Sequence, residues 1–203
     1  MRSKRRFSGF NPNLKLEGSH AFLSASNYHW LNYSEDKLRE RLRTTEAAAL
    51  GTELHETAAR NIRRGIELKE DGEFPVLAAY VNDAIALQLV PEQLLFYSMN
   101  AFGTADAAGF EEYPEGSDYA GFLRIHDFKS GVSKASFDQL YIYAGFFCLE
   151  YDFRPFEIDG ELRIYQFDPI EVRNLDQDKL SMVYDKIRTA DAIIGDRKLG
   201  GMV

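Results

Sequence analysis

Between Glu92 and Lys129 the chain changes its hydrophobic period, and that change limits the folds open to it. Three short runs, EQLLFYS (92–98), FGTADAAGF (102–110) and GFLRIHDFK (121–129), are rich in aromatic and branched residues. They read as three consecutive strands. Pro114, Gly116 and Ser117 predict a hairpin loop over 111–119 between the last two. Helical signals lie on either side. Residues 35–43 are charged and predict an exposed helix. Thr44 or Thr45 can cap a further helix, in which Leu50, Leu54, Ala58 and Ile62 recur every fourth residue as a buried stripe. Residues 74–90 predict another helix, with Pro75 tolerable in its first turn. Beyond Lys129 come a helix over 135–151, a fourth strand over 160–168 and a closing helix over 176–194. Helices, a three-stranded meander, then helix, strand and helix specify an α/β domain with a mixed sheet flanked by helices.

Size and charge narrow the function. The 203 residues suffice for one sizeable core. The expected organisation is a basic flexible arm over 1–19 and a single domain over 20–203. Residues 1–20 hold Arg2, Lys4, Arg5, Arg6 and Lys15 against Glu17, a net charge of +4, whereas the whole chain is at −8. That balance argues against a protein that coats nucleic acid. It leaves room for an enzyme that touches DNA locally, because a carboxylate site lowers net charge and bound cations restore positive potential. The lone cysteine, Cys148, excludes an internal disulfide, a Cys-rich zinc site and an iron–sulfur cluster, and fits a reducing cytoplasm. No apolar run reaches the ~18 residues of a spanning helix. The basic amino terminus leads into no apolar segment of the secretory kind. No G-x-x-x-x-G-K-[ST] is present, so no nucleotide site is expected.

The chemistry concentrates around Asp127 and Lys129. Two apart on a strand, they share a face, and Ser130-Gly131 ends the strand directly after them. A carboxylate beside an ammonium suits a site that holds a divalent cation and stabilises a developing phosphate charge. Asp106, on the preceding strand among Gly103, Ala105, Ala107 and Ala108, can be carried beside Asp127 by the hairpin. Two close carboxylates repel unless a cation lies between them. His55 stands upstream in Gly51-Thr-Glu-Leu-His55-Glu56, and Glu92 opens the first strand. A zinc-protease reading of His55-Glu56 fails, because Ala59 stands where the second histidine would be. Gln139 and Tyr143 are four apart on one helix face. Arg60, Arg63 and Arg64 follow His55 and read either as a solvated face or as a phosphate-tracking patch.

These residues resemble the PD-(D/E)XK nuclease superfamily, and within it the RecB-like branch that includes phage recombination exonucleases. The likeness rests on Asp106, on Asp127-Phe128-Lys129-Ser130-Gly131 with Asp106 21 residues before Asp127, and on Gln139-x-x-x-Tyr143. Gly51-x-x-x-His55 matches the branch's helical motif, and Leu23-Ser-Ala-Ser26 with Trp30-Leu31 resembles the opening of phage-encoded members. The resemblance implies a restriction-endonuclease-like core. It implies Mg²⁺, with Mn²⁺ as a substitute, held by His55, Asp106, Asp127 and the Phe128 backbone carbonyl, with Glu92 as an outer ligand. Lys129 would be the catalytic lysine, and Gln139 and Tyr143 would support the site or touch the DNA backbone. The activity implied is hydrolysis of DNA, as an exonuclease on duplex ends in phage-type recombination and repair. A single-strand annealing protein and a homo-oligomeric ring are partners by analogy, and no membrane is implied. A structure-specific or nicking endonuclease, and a catalytically silent nucleic-acid binding module of the same fold, are the rival readings.

Overall fold

The computed structural model describes residues 29, 32–132 and 134–200. The expected arm over 1–19 and, His29 apart, the short stretch matched at 23–31 lie outside them. By its internal contacts the chain divides into Met1–Ala48 and Ala49–Val203.

In the first unit the described residues carry the beginning of helix α1 (Glu35–Arg64). Ser34 caps it, its Oγ accepting the Lys37 N–H at 3.3 Å, and Glu35 and Asp36 place acids in the first turn where the helix dipole favours them. The expected cap at Thr44 or Thr45 is not one. Both hydroxyls donate at 2.9 Å to carbonyls four residues earlier, those of Glu40 and Arg41, and helix occupies the expected break.

The second unit is mixed α/β. Helix α2 (Pro75–Ala86) precedes strands β1 (Val90–Ser98), β2 (Ala101–Glu112) and β3 (Gly121–Phe128). Helix α3 (Asp138–Glu150), a short 3₁₀ turn (Pro155–Glu157), β4 (Ile158–Tyr165), β5 (Glu171–Asn174) and α4 (Gln177–Gly200) follow. The sheet order is β1-β2-β3-β4-β5. All pairs are antiparallel except β3–β4, which runs parallel because α3 carries the chain back between them. The mixed sheet flanked by helices is the architecture the sequence predicts. Strand β5 is an addition; its four residues are all exposed and show no alternation.

Helices cover both faces. Leu123 and Ile125 of β3, with Leu162 and Ile164 of β4, pack on Leu140, Ala144 and Phe147 of α3 and Leu180 of α4. On the other face Phe128 and Tyr165 meet Leu54, Ala58 and Ile62 of α1 and Leu77, Tyr80 and Val81 of α2. Leu50 departs from the expected stripe and is 47% exposed, while Gly51 is buried. Steps of four residues overshoot a full turn by about 40° each, so by Leu50 the row has drifted about 120° from Ile62. No helix among the described residues is long and apolar enough to cross a membrane.

Candidate active site

The site forms where β3 runs out. The β2–β3 ladder is in register from Glu112↔Gly121 to Ala107↔His126. One step further, Asp106 stands opposite Asp127, and its carboxylate takes over as acceptor: Asp106 Oδ2 receives the Phe128 N–H at 2.8 Å. The next amide, Lys129 N–H, turns the other way and donates to the Tyr165 carbonyl of β4 at 2.9 Å. The N–H and C=O of one strand residue point to the same side, so the Phe128 carbonyl opens toward Asp106 as well.

From α1, His55 brings Nδ1 to 3.4 Å from Asp106 Oδ2 and sets its ring edge-on to Phe128 at 5.2 Å between centroids. Tyr80 of α2 stacks on the same Phe128 ring at 5.7 Å, a packing that the period and motif of the sequence do not announce. Gly51 explains how α1 comes so near. A Cβ built there would stand 2.8 Å from Ser130 Oγ, so a larger residue would have to move the serine hydroxyl for α1 to lie this close to the strand end.

From α3 the opposite grip is made. Lys129 Nζ lies 3.0 Å from Asp127 Oδ1 and donates to Gln139 Oε1 at 3.2 Å. Gln139 Nε2 in turn donates to Tyr143 Oη at 3.1 Å. The helix face predicted from the i,i+4 spacing is thus the face that meets the lysine. Gly103 of β2 admits the Tyr143 ring, whose Cε1 would be 3.0 Å from a Cβ at that position.

Asp127 is 1% exposed, and its Oδ2 has no hydrogen-bond partner among the described residues. Burial, and then the Asp106 charge, push its carboxyl up to about 6, against the pull of Lys129. The contact with Asp106 raises the His55 imidazole above its ordinary value although burial opposes it. An unpartnered buried oxygen beside a second carboxylate is an arrangement that a cation relieves. Its oxygens and one imidazole suit a hard divalent ion, and these residues therefore fit the expected Mg²⁺ or Mn²⁺. Among the described residues, no group of three or more His, Cys, Asp or Glu side chains already stands at metal-ligand spacing. The charges are instead satisfied in pairs, His55 with Asp106 and Lys129 with Asp127.

Glu92 stands next to this group on β1, and its charge acts on the Tyr80 hydroxyl together with those of Asp106 and Asp127. It is exposed on β1, opposite Asp106 between the pairs Pro91↔Ala107 and Gln93↔Ala105, and its φ is +55°. A left-handed residue other than glycine is rare in a strand.

A second polar network, unannounced in the sequence, backs the strand end on the α2 side. Tyr165 Oη donates to Asp83 at 2.7 Å and lies 3.1 Å from His126 Nδ1. Arg163 joins Asp83 and Glu161, each at 2.9 Å. The His126 imidazole, 3.7 Å away, and the Arg163 guanidinium hold Glu161 down to about 2, while burial pushes His126 below its ordinary value. Its only sequence trace is the alternation that sends Arg124 and His126 to one face and Ile125 and Asp127 to the other.

No protein-family model matches the chain, and no curated protein sequence matches it.

Proposed function

We propose that this chain is a divalent-metal-dependent DNA nuclease with a PD-(D/E)XK core. One observation carries the reading: Lys129 is forked between Asp127 and Gln139, while the second oxygen of Asp127 is buried without a partner beside Asp106. A surface ion pair has no need of a buried second oxygen, of a neighbouring carboxylate or of a glutamine brace. A site for phosphodiester hydrolysis has use for all three.

The ligands in this reading are His55, Asp106, Asp127 and the Phe128 carbonyl, with Glu92 one strand further out. When bound, the cation supplies an activated water and neutralises charge on the scissile phosphate. Lys129 keeps its ammonium beside that phosphate and stabilises the charge that builds in the transition state. Gln139 aims the ammonium, and Tyr143 aims Gln139. Asp106 does double service, since its hydrogen bond to the Phe128 amide fixes the turn of backbone that presents the Phe128 carbonyl. The preference for duplex ends, and the place in recombination and repair, follow the family resemblance of the Asp127–Gly131 and Gln139/Tyr143 motifs.

The test is incubation with end-labelled linear duplex and with closed circular DNA, each with Mg²⁺ and with a chelator. Metal-dependent digestion confined to linear DNA is the expected result. Cutting of circles replaces the exonuclease with an endonuclease. Binding without cutting in Mg²⁺ or Mn²⁺ removes the nuclease reading.

A further inference from the structure

A cavity of about 360 Å³ opens between β1, β2 and the carboxyl end of α3. Two of its walls, Phe147 and Tyr151, lie eight and twelve residues beyond Gln139, about 12–18 Å along the helix axis from the candidate active site. It is an aromatic chamber. Phe110 stands 4.9 Å from Phe147 and 5.2 Å from Phe153, Phe147 stacks on Phe153 at 5.7 Å, and Tyr151 lies 4.9 Å from Phe147. Val90 and Tyr151, each about half exposed, extend the apolar surface outward from it. Its volume is enough for one bulky side chain, the size of anchor that dominates protein interfaces.

Charge decides what would fill it. Glu112 lines the cavity, and Glu150 and Asp152 flank Tyr151, whereas Arg154 is the nearest base in sequence and no Lys or Arg lines the walls. From Gly65 to Leu123 the chain carries a single basic residue, Lys69. Such a rim repels a polyanion and attracts a cationic segment. We infer that this cavity is a docking site for a basic segment of a partner protein, which inserts one large apolar side chain among Phe110, Phe147 and Phe153. The site is separate from the proposed nuclease centre and does not depend on it.

The probe is a short dye-labelled Lys/Arg-rich peptide with one central Trp, titrated into the full chain at low salt. Controls are the same peptide with Ala for Trp and a Glu-rich peptide that keeps the Trp. The basic Trp peptide should bind, with amide shifts gathered at Gln93, Gly109 and Phe153. The Ala peptide should bind about tenfold more weakly, and the acidic one should not bind. Glu112→Lys and Tyr151→Ala, both at exposed positions, should each weaken binding about tenfold while any DNA cleavage, and amide shifts away from the cavity, stay as in the wild type. Failure of the basic Trp peptide to bind, equal binding of the acidic peptide, shifts gathered elsewhere, or unaltered binding by both variants overturns the assignment. Protection of the same amides on raising protein concentration without peptide gives the cavity to a second copy of the chain and also overturns it.

Discussion

Gly51 of α1 and Ser130 beyond β3 approach so closely that a single added carbon at Gly51 would stand 2.8 Å from the serine hydroxyl. The contact brings α1 close to the strand end one turn before His55, whose Nδ1 is 3.4 Å from Asp106. Gly51→Ala should therefore loosen metal binding more than it loosens the fold. The expected effect is roughly a tenfold rise in the Mg²⁺ concentration needed for half-maximal cleavage, the scale seen when support for a metal ligand is lost. Ser130→Ala in the same chain should recover most of that loss, because it removes the atom the new methyl meets. A double mutant no better than Gly51→Ala would show that the glycine is kept for another reason.

Lys129→Ala should lower cleavage by roughly 10²–10³-fold, the usual cost of removing one charge-stabilising donor. Metal affinity should hold or rise, since the ammonium no longer competes for Asp127. Gln139→Ala should cost less, about tenfold, because the lysine keeps its bond to Asp127 and loses only its brace. Single-turnover rates with saturating metal separate the two variants. Equal losses would mean that Gln139 touches the reacting atoms itself.

Asp127→Asn should abolish cleavage and still raise the melting temperature of the metal-free protein. The ionised carboxylate is held in a buried place beside another acid, and its pKa near 6 corresponds to a destabilisation on the order of 3 kcal/mol relative to the unfolded chain. The gain should be seen at pH 8 in a chelator and should vanish near pH 4, where the wild-type group is protonated. A lowered melting temperature at pH 8 would show that the bond to Lys129 outweighs the burial.

The same group sets a pH dependence. Its folded-state pKa of about 6 is above the roughly 3.9 of an unfolded aspartate, so the folded chain binds the extra proton between those values. Stability of the metal-free protein should fall as pH rises through about 4 to 6. Glu161, held at about 2, acts in the opposite sense: its stabilisation is present above the unfolded value of roughly 4.3 and is lost as pH falls toward 2. Thermal melts from pH 3 to 8 should thus peak near pH 4 to 5 for these two groups. Adding Mg²⁺ should flatten the upper slope by favouring the ionised Asp127. A slope indifferent to Mg²⁺ would separate Asp127 from the metal.

Much of this arrangement is legible in the amino-acid order. Period two carries Asp127 and Lys129 to one face, the hairpin carries Asp106 to Asp127, and i,i+4 spacing carries Gln139 and Tyr143 to the lysine. What escapes the sequence is what depends on packing. The row from Leu50 to Ile62 fails at its first member because fourfold spacing drifts around a helix. Thr44 and Thr45 carry cap chemistry but spend it on carbonyls inside α1. Strand β5 has no pattern of its own and exists by pairing with β4. The Asp83–Arg163–Glu161 network joins residues some 80 positions apart, whose proximity only the folded sheet creates.

His55 and Tyr80 press on Phe128 from the layer of α1 and α2, while Gln139 holds the neighbouring lysine from the layer of α3. The tip of β3 is therefore a joint between two separately packed cores, and any shear of one against the other, however remote its origin, is felt there first.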